Sequence, residues 1–436
     1  MTKNHKMTIY LVGIGGHGIG SLAEFLQDAG FNVFGSDANQ SLLTSELQNL
    51  GIKVHIGEQT GDHLEQTNAK TPIDWVVHTS AVKPNHPELA KAKSLNLKIT
   101  KRDQLIAFLV KELGLKMIAI AGTHGKTTTT SMLVWIFRNL GLPISYLIGA
   151  KVGWAKSGHF DPKSDLFIYE ADEYDRNFLT YSPFASIITA LDYDHVDIYP
   201  TREDYLDAFR QFISQSDNLI TWQHIADYLN LPKSNTATFL DKISPEITLK
   251  GLHNRQNASL VLDFFTTLTS HYSILGAKSQ VLSALNSYPS VTQRFERIAE
   301  NLYSDYAHTL EEISATLQMA REIAKPNQKI VAIYMGLTNA RQHEIIKTGG
   351  YKNAFASADQ IYVIPTFLTR EDPAQKVLTP TEIISNFPPK EQKIAQAAKI
   401  DNDFFAKIKS HLSQGDLVLL LAPDDLWLRN KYPFKT

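Results

Sequence analysis

The stretch that decides the fold of this chain is Met117-Ile-Ala-Ile-Ala-Gly-Thr-His-Gly-Lys-Thr-Thr-Thr-Thr130. It begins with five apolar residues, the length of a buried strand, and leads through a glycine-rich turn into a helical pattern that ends near Asn139. Backbone N–H groups of such a turn hold phosphate groups together with Lys126, and the hydroxyl group of Thr127 suits a magnesium ion. The stretch therefore predicts a phosphate-binding loop between a strand and a helix of an α/β domain.

This loop departs from the usual phosphate-binding pattern at one position. Ile120 occupies the place of the first glycine, and the nearest glycine is Gly122. A short glycine-rich turn without a ligand is the alternative, but the strand-loop-helix context favours a nucleotide.

A second glycine-rich loop, Gly13-Ile-Gly-Gly-His-Gly18, follows the apolar run Ile9–Val12, and Asp37 ends the next strand. This spacing matches the dinucleotide fingerprint, in which backbone N–H groups face a pyrophosphate and the acid meets a ribose hydroxyl. The pattern indicates a phosphate more firmly than it indicates NAD, because any nucleotide diphosphate can use the same N–H groups. A tight turn without a ligand remains the alternative.

Acidic and imidazole side chains follow two later apolar runs. Glu170-Ala-Asp-Glu173 comes directly after Leu166–Tyr169, and Asp194-His195 follows Ile187–Leu191. In a parallel sheet both groups emerge at the edge where the phosphate-binding loop lies. Carboxylate and neutral imidazole beside phosphate oxygens are suited to hold or orient magnesium, whereas a solvated strand-end loop is the alternative.

The composition narrows the classes of function. The chain has 43 Lys and Arg residues and 45 Asp and Glu residues. Its net charge of −2 would not attract a nucleic acid or an acidic membrane, so neither is expected as a partner. The absence of cysteine excludes disulfides, thiolate zinc sites, iron-sulfur clusters and cysteine nucleophiles. No secretion signal or membrane-length apolar run is visible. A cytoplasmic protein is predicted.

The length of 436 residues predicts two to four domains at roughly 100 to 200 residues each, with three as the working number. Apolar runs alternate with helical patterns throughout, which is typical of α/β domains with mostly parallel sheets. We expect a Rossmann-like N-terminal domain over residues 1–113, a central phosphate-binding-loop domain over 114–300, and a Rossmann-like C-terminal domain over 301–436.

Together, these motifs resemble the Mur ligase family, the ATP-dependent amide ligases of peptidoglycan precursor synthesis. Besides the loops and acidic motifs above, the resemblance rests on further motifs in family order, namely Thr79-Ser-Ala81, Gly251-Leu-His-Asn254 with Asn257, Gln293-Arg-Phe-Glu296 and Asp305-Tyr-Ala-His308. The resemblance implies that the chain joins L-alanine to UDP-N-acetylmuramate through an acyl phosphate, using ATP and Mg²⁺. Ligation of a murein tripeptide in cell-wall recycling is the alternative within the family.

The resemblance also implies a role for each matching residue. The N-terminal domain would bind the UDP-sugar through Gly15, Gly16, His17, Gly18, Asp37 and Ser80. The central domain would bind ATP through Gly122, Thr123, His124, Gly125, Lys126, Thr127 and Thr128, with His253, Asn254 and Asn257 near adenine and Arg294 and Asp305 reaching the nucleotide. Magnesium would be held by Thr127, Glu170 and His195, and the catalytic residues would be Lys126, Glu170 and His195.

The C-terminal domain would receive the amino acid, with Arg341 and Arg370 as substrate-binding cations. Two segments there depart from the family pattern, since Met335–Asn339 replaces a Gln-Pro-His type segment and Ala422–Asp425 replaces a Gly-Ala-Gly-Asp turn. These departures leave a non-catalytic UDP-sugar-binding protein as one alternative from another class. An NAD-dependent oxidoreductase that uses the loop at Gly13 is the other. A monomer or weak homodimer is expected.

Overall fold

The computed structural model describes residues 6–195, 198–269, 277–368, 371–372 and 374–432. Three separate sheets account for the strands of these ranges. Within them, every helix is too short or too polar to cross a lipid bilayer.

The N-terminal sheet has five parallel strands in the order β3-β2-β1-β4-β5. Its strands and helices alternate as β1 (Thr8–Val12), α1 (His17–Asp28), β2 (Asn32–Asp37), α2 (Leu42–Asn49), β3 (Lys53–Ile56), α3 (Asp62–Lys70), β4 (Trp75–His78), α4 (Pro87–Ser94), β5 (Lys98–Lys101) and α5 (Arg102–Glu112). All five residues of β1 are buried, as expected for a central parallel strand covered on both faces. The strand order reverses beside β1, so the loop after β1 lies at a topological switch point.

The central sheet has seven strands in the order β12-β11-β10-β6-β9-β7-β8, and of these β8 is antiparallel to its neighbour. The strands are β6 (Lys116–Ala121), β7 (Ser145–Leu147), β8 (Gly158–His159), β9 (Leu166–Glu170), β10 (Ala185–Ile188), β11 (Leu219–Trp222) and β12 (Ala237–Leu240). The helices are α6 (Lys126–Asn139), α7 (Arg202–Ser214), α8 (Gln223–Tyr228), α9 (Leu252–Thr269) and α10 (Lys278–Asn286).

The pairing of β6 with its two neighbours positions the candidate site. Ile120 in β6 is opposite Glu170 in β9 and Ile187 in β10. Because all three strands run in parallel, their carboxyl ends meet at one edge of the sheet. The sequence prediction that these strand ends share an edge is confirmed by this register.

The C-terminal sheet has six strands in the order β13-β14-β18-β15-β16-β17, with β13 antiparallel to β14. The strands are β13 (Glu296–Ala299), β14 (Leu302–Asp305), β15 (Ile330–Leu337), β16 (Gln360–Phe367), β17 (Ala395–Ala397) and β18 (Leu417–Leu421). The helices are α11 (Leu310–Ile323), α12 (Asn339–Lys347), α13 (Pro380–Ile384), α14 (Pro389–Gln392), α15 (Asn402–Ser413) and α16 (Leu426–Arg429). Apolar clusters pack on both faces of the sheet, again the pattern of an α/β domain.

The chain divides into two compact units, each with most of its contacts inside itself. One comprises Met1–Ile247 with Asn257–Tyr288, and the other comprises Thr248–Gln256 with Pro289–Thr436. The predicted boundary at residue 113 falls in the connection between α5 and β6, whereas the one at residue 300 falls between the paired strands β13 and β14. The boundaries of the three expected domains stay predictions.

Candidate functional site

The loop between β6 and α6 has the backbone of an anion-binding turn. Gly122 has φ of 132° and Gly125 has φ of 82°, both in the region that favours glycine. A β-carbon on Gly122 would lie 2.5 Å from Thr189 Oγ1 and 2.7 Å from the carbonyl oxygen of Ala190. The chain therefore needs glycine here to lead β6 directly into α6, whose first-turn N–H groups are the donors that the predicted phosphate site requires.

The remaining loop residues are held against the segment after β10. Thr123 Oγ1 donates to the carbonyl oxygen of Asp192 at 2.7 Å, and Thr189 Oγ1 donates to the carbonyl oxygen of His124 at 2.5 Å. Thr128, in the first turn of α6, is half-buried. Long-range hydrogen bonds thus fix the predicted phosphate-binding loop.

Lys126, the first residue of α6, has its amine in a buried cluster of polar groups. Nζ donates to Glu173 Oε2 at 2.8 Å and to the carbonyl oxygen of Gly122 at 2.6 Å. Burial opposes the charged amine, but the charges of Glu173 and Asp172 raise the pKa of Lys126 above its usual value. The amine therefore stays cationic at the edge where phosphates are expected.

Thr127 and Glu170 form a pair of oxygen ligands beside this lysine. Thr127 Oγ1 donates to Glu170 Oε1 at 3.0 Å, and Glu170 Oε2 accepts from the backbone N–H of Gly149 at 3.2 Å. A hydroxyl and a carboxylate this close suit Mg²⁺, which keeps several waters and takes few protein ligands. The described residues contain no group of three or more His, Asp or Glu side chains placed to hold a metal, so the other ligands would come from water and phosphate oxygens.

His195 lies beside Glu173. Its Nε2 is 3.5 Å from Glu173 Oε1, and its ring packs edge-on against Tyr174 with the centroids 5.2 Å apart. Burial by itself lowers the pKa of His195, but the hydrogen bond to Glu173 and the charge of Asp194 outweigh it and raise the pKa. The structure thus brings the predicted residue His195 to Lys126 through Glu173, the last residue of the predicted acidic motif.

Asn257 and the other predicted nucleotide residues fall in different units. Asn257 lies with the phosphate-binding loop, where a β-carbon on Gly125 would be 2.7 Å from Asn257 Oδ1. His253 and Asn254 belong to the C-terminal unit, although all three residues are on α9. The predicted role of the three near adenine stays a prediction.

His253, in the C-terminal unit, has a buried ring nitrogen. Its Nδ1 has no hydrogen-bond partner, and burial lowers the pKa of His253 to about 4. Asn254 Nδ2 donates to the carbonyl oxygen of Lys250 at 3.0 Å. A neutral imidazole and an amide are groups that hydrogen-bond a nucleobase.

Arg294 and Asp305 are in the same unit. The Arg294 guanidinium lies 5.3 Å from the ring centroid of Tyr306. Asp305 accepts backbone N–H groups on both oxygens, from Phe295 at 2.7 Å and Ala307 at 2.8 Å. These bonds fix the end of β14, so the carboxylate has an evident structural task beside its predicted one.

In the N-terminal loop, Asp37 binds the backbone of the loop itself, and its predicted contact with a ribose hydroxyl stays a prediction. The backbone N–H of Gly15 donates to Asp37 Oδ2 at 2.9 Å, and that of Gly16, the residue before α1, donates to the carbonyl oxygen of Gly13 at 3.1 Å. Asp37 therefore orders the loop at the first turn of α1, where a pyrophosphate is expected.

Cations that the sequence pattern did not reveal lie at this loop. A β-carbon on Gly18 would be 1.9 Å from Arg102 Nη1, so the guanidinium rests on the start of α1. Burial and the charge of Lys151 lower the pKa of His17. Arg102 follows β5 directly, which is the signal that could have placed it at the sheet edge.

Ser80, the last predicted residue of this domain, donates to Asp175 Oδ2 at 2.7 Å, and Lys101 forms an ion pair with the same carboxylate. Asp175 follows the Glu170–Glu173 motif in the central domain. The sheet edges of the two domains therefore share polar contacts within one compact unit.

In the C-terminal unit, Arg341 is in the first turn of α12. Burial raises the pKa of Tyr306 and lowers that of His308, and the positive charge of Arg341 lowers the pKa of both groups. Glu371 accepts the backbone N–H of Asn339 with both oxygens, at 3.1 Å each. The predicted residue Arg370 lies outside the described residues. The acceptor role of Arg341 stays a prediction.

Three family models match the chain in order. They are the Mur ligase family catalytic domain over residues 8–112, the Mur ligase middle domain over 120–234, and the Mur ligase glutamate ligase domain over 293–423. Together they span most of the chain.

Individual proteins agree with these models. The UDP-N-acetylmuramate–L-alanine ligase of Nocardioides sp. is 29% identical over 95% of this chain and 92% of its own length. The solved structure of UDP-N-acetylmuramate-alanine ligase from Thermotoga maritima has a TM-score of 0.75 at 24% identity and covers 98% of both chains. A murein peptide ligase from Psychrobacter arcticus has a TM-score of 0.65 at 22% identity, covering 98% of this chain and 97% of its own. The predicted three-domain α/β fold is confirmed.

Proposed function

Since this chain belongs to the Mur ligase family, we propose that it joins L-alanine to the lactyl carboxylate of UDP-N-acetylmuramate at the expense of ATP. The family and the ligase class predicted from the sequence are confirmed. The name of the Nocardioides relative, which matches nearly the whole chain, supports this choice of amine and acid.

The observation that carries the proposal is the convergence of three strand ends on one phosphate-binding loop. Lys126 supplies a buried cation, and Thr127 with Glu170 supplies two oxygen ligands 3.0 Å apart. Such a set neutralises the charge of a transferring phosphoryl group, which is the main catalytic requirement of phosphoryl transfer.

The proposed chemistry has two steps. A carboxylate oxygen of UDP-N-acetylmuramate attacks the γ-phosphorus of ATP, so ADP leaves and an acyl phosphate forms. The amine of L-alanine then attacks the acyl carbon, the amide bond forms, and inorganic phosphate leaves as the amine loses a proton. Lys126 and the N–H groups at the start of α6 hold the phosphate oxygens in the first step.

Magnesium would be held at Thr127 and Glu170. His195, the third predicted ligand, instead lies against Glu173, which raises the pKa of the imidazole, so its role as a ligand stays a prediction. When bound there, the ion would withdraw negative charge from the phosphate oxygens. The hydroxyl and carboxylate pair of this chain fits that requirement, because Mg²⁺ prefers hard oxygen ligands.

The UDP-sugar would bind at the N-terminal loop, where Arg102 adds a cation to the N–H groups of α1. The amino acid would bind in the C-terminal unit near Arg341. We expect the reaction to take place in the cytoplasm, in line with the cysteine-free composition, and the enzyme to act as a monomer or weak homodimer.

Phosphate release tests the proposal. Purified protein is supplied with ATP, Mg²⁺ and UDP-N-acetylmuramate, and L-alanine, L-serine, glycine and L-alanyl-γ-D-glutamyl-diaminopimelate are compared as acceptors. L-alanine should give the highest kcat/KM. A preference for the tripeptide would instead assign the chain to cell-wall recycling.

The same assay separates the alternatives from other classes. Release that requires both UDP-N-acetylmuramate and an amine excludes a non-catalytic sugar-binding protein. Binding of NADH without ATP turnover would favour an oxidoreductase, but that function leaves the phosphate-binding loop between β6 and α6 without a role.

A further inference from the structure

Glu173 is a buried carboxylate between two candidate catalytic groups. Its side chain is 1% exposed, and it meets Lys126 Nζ at 2.8 and 3.0 Å through its two oxygens. Its Oε1 also lies 3.5 Å from His195 Nε2. One carboxylate therefore joins a residue of the phosphate-binding loop to a residue that follows a different strand.

The position of this carboxylate is fixed through its own backbone. The carbonyl oxygen of Glu173 accepts the hydroxyl of Tyr199 at 2.5 Å, and Tyr199 is fully buried. The same carbonyl oxygen accepts the backbone N–H of Arg176 at 3.1 Å. Asp175 and Arg176 both have φ of 56°, a left-handed conformation that costs energy in non-glycine residues. The turn after Glu173 is thus held tightly.

We propose that Glu173 is a positioning residue, which holds Lys126 and His195 at the reacting phosphate without touching the substrates itself. The inference rests on the proposed function, and it gives Glu173 a different role from the magnesium binding predicted for the acidic motif that this residue ends. A buried ion pair is a poor source of stability by itself, because desolvation of both charges offsets their attraction. A positioning role would explain why the charge of Glu173 is buried although the ion pair adds little stability.

The donors of the amine show how the residue would act. An ammonium group has three N–H donors, and here they face Glu173 and the carbonyl oxygens of Gly122 and Thr123, at 2.6 and 3.4 Å for the latter two. A phosphate oxygen can replace a carbonyl contact while Glu173 keeps the amine at the loop. The carboxylate is thus the fixed partner and the carbonyl oxygens are the exchangeable ones.

This arrangement makes an unusual prediction about the kinetic constants. The negative charge of Glu173 repels the incoming phosphates, so its removal should not weaken ATP binding. The loss of position should instead slow the chemical step, since displacement of a catalytic group by about 1 Å costs about 100-fold in rate. A merely structural carboxylate would lower stability or raise KM as well.

The test compares Glu173→Gln with the control Asp165→Asn, which removes a carboxylate from an exposed ion pair with Lys116 at the other end of β6 and β9. Steady-state phosphate release is measured against ATP concentration, and thermal unfolding confirms that each variant is folded. Glu173→Gln should lower kcat by about 100-fold with the KM for ATP unchanged or lower. The control should keep both constants.

A kcat of Glu173→Gln within about threefold of the wild type would overturn the inference, as would a rise in KM that accounts for the loss. If Glu173→Gln does not fold, Glu173→Asp is tested in its place. This variant keeps the carboxylate, but its side chain is shorter by one methylene group. It should then show the reduced kcat, and a normal kcat would overturn the inference. Failure of the wild type to release phosphate with UDP-N-acetylmuramate would overturn the proposed function instead, so the two failures are distinguishable.

Discussion

Asn257 lies directly against Gly125, so closely that a β-carbon on the glycine would be 2.7 Å from the amide oxygen of the asparagine. Asn257 is 7% exposed, and Gly125 precedes the first residue of α6 with φ of 82°. The start of α6 is therefore defined from two sides, by its own backbone conformation and by a side chain of α9.

The first prediction follows from this contact. Gly125→Ala should destabilise the protein by about 1–3 kcal/mol because it adds a steric clash to a left-handed backbone, and it should reduce ATP binding because the loop must shift. Gly114→Ala is the matched control, since Gly114 has φ of 65° but no atom within 4 Å of its β-carbon position. Thermal unfolding and calorimetric titration with ATP check both variants. Equal effects of the two would show that the contact with Asn257 is unimportant.

The second prediction concerns Lys126, whose amine lies in the loop as a phosphate ligand would. Lys126→Ala should reduce turnover by about 100-fold or more, the order observed when a preorganised charge-stabilising group is removed. Lys116→Ala provides the control, because Lys116 begins β6 and its side chain is 47% exposed. Phosphate release is the measurement. Near-normal turnover of Lys126→Ala in a folded protein contradicts the assignment.

The third prediction concerns the magnesium pair. Glu170→Gln retains the shape of the side chain but removes the charge that a hard cation prefers, so half-maximal turnover should require more Mg²⁺. Turnover is measured against magnesium concentration, with Glu112→Gln, an exposed residue of α5, as the control. An unchanged magnesium requirement would place the ion elsewhere.

The fourth prediction separates the two nucleotide sites. A β-carbon on Gly15 would lie 2.8 Å from Asp37 Oδ2, so Gly15→Ala should disturb the N-terminal loop and weaken UDP-sugar binding, with ATP binding unchanged. Gly153→Ala, where the β-carbon meets no atom within 4 Å, is the control. Calorimetry with each ligand decides the outcome. Loss of ATP affinity with intact UDP-sugar affinity would mean that the two sites are reversed.

The fifth prediction concerns the stability of the C-terminal unit. Glu391 is 3% exposed, and burial raises its pKa from 4.5 to about 7, only partly offset by the backbone N–H of Phe355. Between these values the folded protein retains a proton that the unfolded chain has lost. The free energy of unfolding should therefore fall as the pH rises from about 4.5 to 7, by about 3 kcal/mol.

Glu391→Gln should remove this component of the pH dependence, because the amide does not titrate. Glu344→Gln, at an exposed position of α12, should retain it. Urea unfolding monitored at several pH values measures the difference. A parallel pH dependence in wild type and Glu391→Gln would show that another group is responsible.

The local parts of the site could be read from the sequence. Residues 117–130 encode a strand, a glycine-rich turn and a helix in one continuous segment, and the glycines at positive φ are necessary wherever that segment folds. In the loop from Gly13 to Gly18, the same holds for Gly13, whose φ is 76°. The α/β class was also predictable, because strands buried on both faces have continuous apolar runs.

The sequence alone determined the two glycine-rich loops, the α/β class and the strand ends that carry acid and imidazole. The tertiary structure decided which of those groups meet. Glu173 is separated from Lys126 by 47 positions, and their contact arises because β9 pairs with β6 in parallel. Arg102 reaches Gly18 by the same kind of long-range placement. Short sequence patterns indicate backbone conformation and burial. Contacts between distant residues depend on strand order and register, which no single segment of the sequence encodes.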